Sequence, residues 1–71
     1  MKLLAFRKSK NMTQVELAKE LGVNQSNITD WENGVKIPRV EFMQKIVTYT
    51  NGEVQPNDFY YEGDNNGRAN I

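Results

Sequence analysis

The 71-residue chain contains no cysteine and no histidine. Without cysteine there is no disulfide framework and no thiolate zinc site. Without histidine there is no Ser-His triad, and neither residue type is present as a nucleophile or base. Any metal site would have to be built from oxygen alone. No apolar run approaches the ~18 residues of a membrane span, and no signal peptide is visible. The formal net charge is also zero, so the total names no polyanionic partner. With roughly 100–200 residues per domain as the norm, the length leaves room for one domain. Such a chain buries only about 60% of the surface its unfolded form exposes, so its core is thin. These absences argue against an enzyme. They favour a small soluble intracellular module that binds something and needs no cofactor.

What is present is enough to fold. Leu, Ile, Val and Phe account for 17 of the 71 residues, above the roughly 20% level below which chains tend to stay disordered. The zero charge conceals an asymmetry. Residues 1–50 carry eight basic and five acidic side chains, a balance of +3. Residues 51–71 carry one basic and four acidic side chains, a balance of −3. A basic body with an acidic end is a pattern of nucleic-acid modules, although charged residues also simply solvate a surface.

Punctuation divides the chain into short helices. Leu3, Leu4 and Phe6 give the first an apolar side, followed by Arg7, Lys8 and Lys10, and Asn11 suits its left-handed end. Arg7, Lys8 and Lys10 are expected on a solvated face. Thr13-Gln14-Val15-Glu16 is a capping box, with Met12 and Leu17 in the flanking staple positions. A second helix runs to Leu21 and stops at Gly22. Asn24 is a suitable N-cap for a third, Gln25 to Asn33, closed by Gly34. Pro38 ends a loop. A fourth helix is expected over Arg39 to Thr50, with Val40, Met43, Ile46 and Val47 at helical spacing, broadened by Phe42 and Tyr49. Asn51-Gly52 reads as a stop; the pair also fits the turn of a strand hairpin, but what precedes it has a helical period and not the alternation of a strand. Pro56 suits the start of a last helical turn, Asn57 to Tyr61. Residues 62–71 are polar and aperiodic, and are expected to form a disordered tail to a 1–61 domain.

The informative stretch lies between Gln14 and Asn33. Two helices meet at a short turn containing a glycine, the helix-turn-helix arrangement. Leu17 and Leu21 share one face, Ala18 is small where the next helix passes, Gly22 permits a positive φ, and Val23 fills the inside of the turn. Ile28 and Trp31 face inward from the second helix of the pair. Gln25, Ser26, Asn27, Thr29 and Asp30 then face outward.

Residues 3–61 resemble the phage-repressor and Cro-type helix-turn-helix family, often called the XRE family. The likeness rests on Thr13-Gln14-x-x-Leu17-Ala18-x-x-Leu21-Gly22-Val23. It continues in Ile28-x-x-Trp31-Glu32-Asn33-Gly34, with Pro38 after it, and more weakly in Asn51–Phe59. The resemblance implies an all-α, compact four- to five-helix domain of lambda-repressor-like fold with a central helix-turn-helix. It implies a sequence-specific transcriptional regulator of the cytoplasm, in a bacterium or a phage-infected host, working at the nucleoid on double-stranded operator DNA. The helix 25–33 would enter the major groove, leading with its N-terminal residues. Gln25 and Ser26 match base-reading positions, with Asn27, Thr29 and Asp30 next; a Gln amide can bond adenine N6 and N7 together. Gln14, Asn24, Asn33, Lys36 and Arg39 match or flank positions that meet phosphates. A homodimer on a palindrome would space two such helices about 34–36 Å apart. The C-terminal aromatics, Tyr60 and Tyr61 above all, are the candidate interface, while Val54 and Phe59 close the core. The same segment offers a surface for a protein partner, so an antitoxin-type autoregulator is an alternative. An anti-repressor-like interaction module is another, favoured by Asp30 and Glu32 on the third helix.

Overall fold

Four helices end in the same way, and this sets the scaffold. The structure, a computed structural model, describes residues 1–60. Its elements are α1 (Leu3–Ser9), α2 (Gln14–Leu21), α3 (Gln25–Glu32), α4 (Val40–Tyr49) and a 3-10 turn (Pro56–Phe59). After each helix the chain enters the left-handed region, at Asn11 (φ 56°), Gly22 (71°), Gly34 (76°) and Asn51 (58°), and after α4 it stays there through Gly52 (81°). The next amide then bonds back across the last turn. Met12 N–H donates to Arg7 C=O (3.1 Å), Val23 to Ala18 (2.9 Å), Val35 to Asp30 (2.9 Å) and Gly52 to Val47 (2.8 Å). Each such closure satisfies carbonyls that a helix end leaves unpaired and turns the chain sharply. Asn51-Gly52 is therefore a helix stop and not a hairpin; there is no strand among the described residues.

The start of α2 is as its sequence dictates. Glu16 N–H donates to Thr13 Oγ1 (3.0 Å), and Thr13 N–H donates to Glu16 Oε1 (2.8 Å). Asn24 occupies the N-cap position of α3, but its side chain makes no capping hydrogen bond. The last helical element is shorter than expected, a 3-10 turn over Pro56–Phe59 with Tyr60 following in extended conformation. Tyr61 and the 62–71 segment lie outside the described residues.

The core gathers one face from every element: Leu3, Phe6, Leu17, Ala18, Leu21, Ile28, Trp31, Ile46, Val54 and Phe59, with Met12, Val23, Phe42 and Met43 packed against it. Phe6 meets Tyr49 edge-on (centroids 6.1 Å apart), and Trp31 lies 6.0 Å from Phe42. Three apolar positions expected on inner faces are exposed: Leu4, Val40 and Tyr49, the last at the rim with its ring against Phe6. Leu4 is turned about 100° from Leu3, off the Leu3–Phe6 face. Val40 is 76% exposed, because the inner line of α4 runs Phe42–Ile46–Thr50 and leaves Val40 on its flank. Thr50 is the one buried polar residue in the described core. Its hydroxyl donates to Val47 C=O (3.3 Å) and accepts from Val54 N–H (3.1 Å), tying the closing segment to α4.

Candidate nucleic-acid interface

The face of α3 that points away from Ile28 and Trp31 begins with Gln25 and Ser26, both exposed. Asn27, Thr29 and Asp30 are half-buried. Asp30 and Lys36, separate candidates by sequence, form one partly exposed ion pair (3.7 Å). Asn24 and Asn33 are exposed at the two ends of α3, and Lys36 and Arg39 are exposed on the loop that follows. That loop and α3 enclose a groove in which Asn27 is joined by Lys36 and Arg39. A second groove lies on the other side, where Gln25 and Gln14 meet Lys8 and Asn11. Lys8, read from sequence as plain solvated surface, therefore lines the same groove as the two glutamines.

From the wall of the second groove runs a chain of hydrogen bonds that links three helices. Arg7 grips Glu32 through two nitrogens, Nε to Oε2 (2.6 Å) and Nη2 to Oε1 (3.1 Å), and its Nη1 donates to Met12 C=O (2.9 Å). The Glu32 side chain is only 3% exposed. Its Oε1 also accepts from Gln14 Nε2 (2.9 Å). Gln14 Oε1 in turn accepts from Gln25 Nε2 (3.2 Å) and from the Thr29 hydroxyl (2.9 Å). Thr29 also lies within 3.3 Å of its own helix's Gln25 C=O. The hydrogen bond to Glu32 and the carboxylate's charge raise the Arg7 guanidinium above its ordinary pKa, with burial opposing. A two-pronged guanidinium–carboxylate contact of this kind is among the stronger and more directional polar contacts.

Two sequence expectations are corrected here. Arg7 does not belong to a solvated basic face, because its charge is spent on Glu32. Glu32, whose acidity on the third helix favoured an interaction module, offers a partner no charge, because it is buried against Arg7 and Gln14. A sequence gives no direct signal for this pairing: the partners are 25 residues apart. The only hint was position, since Glu32 follows the inward Trp31 at the end of α3.

Four helices, with the α2–turn–α3 pair presenting a polar helix between two grooves, have the geometry of a helix-turn-helix domain. A family model described as helix-turn-helix matches residues 3–56. The chain belongs to this helix-turn-helix family, of the XRE type. No curated protein and no solved structure matches the chain. Membership makes this helix-turn-helix protein a DNA-binding transcription regulator of XRE type. Among the described residues no helix is long and apolar enough to cross a membrane.

Proposed function

We propose that this helix-turn-helix protein is a sequence-specific repressor of phage or prophage type, binding a palindromic operator as a dimer. In this reading α3 lies in the major groove and Gln25 and Ser26 address base edges, with Asn27 and Thr29 behind them. The observation that carries it is the exposed, uncharged leading turn of α3, with the Gln25 amide already held by Gln14 (3.2 Å). The flanking grooves suit the two phosphate strands, with Gln14 and Lys8 lining one and Lys36 and Arg39 the other, while Asn24 and Asn33, exposed at the two ends of α3, complete the phosphate contacts. Tyr60, 59% exposed beside the buried Phe59, stands with Tyr61 as the dimer contact. The acidic residues of α3 favour a protein-only partner less than their bare charge suggests, since each has a basic partner within the chain.

Selection on a random-sequence duplex pool, followed by fluorescence-anisotropy titration of the enriched duplex, tests this reading. The expected product is a palindrome whose half-site centres lie about one DNA turn apart. Affinity should fall with salt at a slope near −0.9 per neutralised phosphate, shallow because few cations flank α3. Equal affinity for every duplex overturns the proposal.

A further inference from the structure

Resting on the base-reading assignment just made, we propose that Glu32 is a specificity-positioning residue: through Gln14 it fixes which way the Gln25 amide points before DNA arrives. A carboxylate can only accept hydrogen bonds, whereas a Gln amide has one accepting and one donating end. Glu32 is locked by the Arg7 fork and is itself buried, so it cannot turn away. The end of Gln14 that meets Glu32 must therefore be the amino group, as is seen (2.9 Å). The carbonyl end of Gln14 is left facing α3. There it can accept only from donors, and it meets the Thr29 hydroxyl and Gln25 Nε2. A reversed Gln25 would bring two carbonyl oxygens together. The polarity thus passes from Arg7 to Glu32, to Gln14, to Gln25, each step forced by donor–acceptor complementarity.

Two consequences follow for what DNA meets. Gln25 keeps its Oε1 and one N–H, the donor–acceptor pair that matches adenine N7 and N6. Thr29 has its hydroxyl hydrogen committed inward, which leaves its methyl and its oxygen lone pairs for contact. Arg7 and Glu32 touch no base in this arrangement and act only through Gln14.

The test passes the full chain and the variants Gln25→Ala, Gln14→Ala, Glu32→Gln and the double variant Glu32→Gln with Gln14→Ala through the same random-duplex selection. Thermal melting of each accompanies it. Gln25→Ala should flatten the preference at one base pair per half-site by on the order of tenfold. Glu32→Gln should flatten that same position several-fold, because an amide in place of the carboxylate permits either orientation of Gln14. In the Gln14→Ala background Glu32→Gln should change the base preference no further. A Glu32→Gln variant that weakens all duplexes alike, while Gln25→Ala still flattens one position, overturns this inference and leaves the base-reading assignment standing. A Gln25→Ala profile identical to that of the unaltered chain overturns both.

If Glu32→Gln does not fold, the unaltered protein decides by NMR. Nuclear Overhauser contacts from the Gln14 side-chain amide protons should reach Glu32, and those from Gln25 should reach Gln14. Gln14 amide protons directed at Thr29 instead overturn the inference.

Discussion

The two ends of the molecule are held by different means. The α2–α3 face is organised by side chains: Arg7, Glu32, Gln14, Gln25 and Thr29 bond one another across three helices. The closing segment 50–60 is organised around apolar burial, with short-range polar contacts at its rim: Val54 and Phe59 are buried, the Thr50 hydroxyl serves two backbone groups, and Asp58 takes the Gln55 N–H and the Met1 nitrogen. Apolar burial is non-directional and suits closure of a thin core. Hydrogen-bonded polar groups are directional, and suit a face whose side chains must present a defined donor–acceptor pattern. The protein thus closes its core chiefly with apolar contacts and orders the face it presents chiefly with directional polar ones.

Substitutions can break this comparison, and the largest effect is expected in the closing segment. Phe59→Ala should cost about 3–5 kcal/mol in urea denaturation, the range for removing a buried aromatic ring. A loss below 1 kcal/mol would mean that the segment is not part of the cooperative core. Arg7→Ala should come next, about 3 kcal/mol, because it leaves the buried Glu32 carboxylate without its counter-charge. Joint replacement by Arg7→Met and Glu32→Leu should recover most of that stability while leaving the base preference flattened. Recovery of both would remove the distinction between the two regions.

Smaller effects sharpen it. Thr50→Val preserves shape but strands the Val54 N–H, and about 1–2 kcal/mol should be lost with no change in base preference. The smallest effect belongs to Asp58. Burial pushes its carboxyl up, but the Gln55 N–H (2.8 Å), the Met1 nitrogen (3.0 Å) and Lys2 together hold it below its ordinary value. A lowered folded-state pKa stabilises above the unfolded value and loses that contribution as pH falls through the folded one. The melting temperature should therefore fall slightly less steeply on acidification in Asp58→Asn than in the unaltered chain. The difference should correspond to less than about 1 kcal/mol, since the pair is partly exposed. Identical acid slopes would show that the carboxylate contributes nothing.

Much of the scaffold could be read directly from local sequence. The Thr13–Glu16 box, the stops at Asn11, Gly22, Gly34 and Asn51, and the inward pairs Leu17–Leu21 and Ile28–Trp31 each involve residues within five positions of one another. Their chemistry is complete in that span. The α4 stripe was read one position off centre, because periodicity counts apolar residues and the true inner line ends in Thr50. Asn24 has the right type and position for a cap, yet its side chain does not take that role, which residue identity alone does not reveal.

The sequence by itself determined the first four helices and close to where each ends, the turn between α2 and α3, and the residues offered on the leading turn of α3. Only the tertiary structure decided that Arg7 and Glu32 are partners and that Gln14 links them to Gln25 and Thr29. The physical reason is range. Caps, turns and amphipathic faces are written in neighbours, whereas these contacts join residues 25, 18, 11 and 15 positions apart. A charged or amide side chain has no preferred partner until packing brings one within hydrogen-bonding distance.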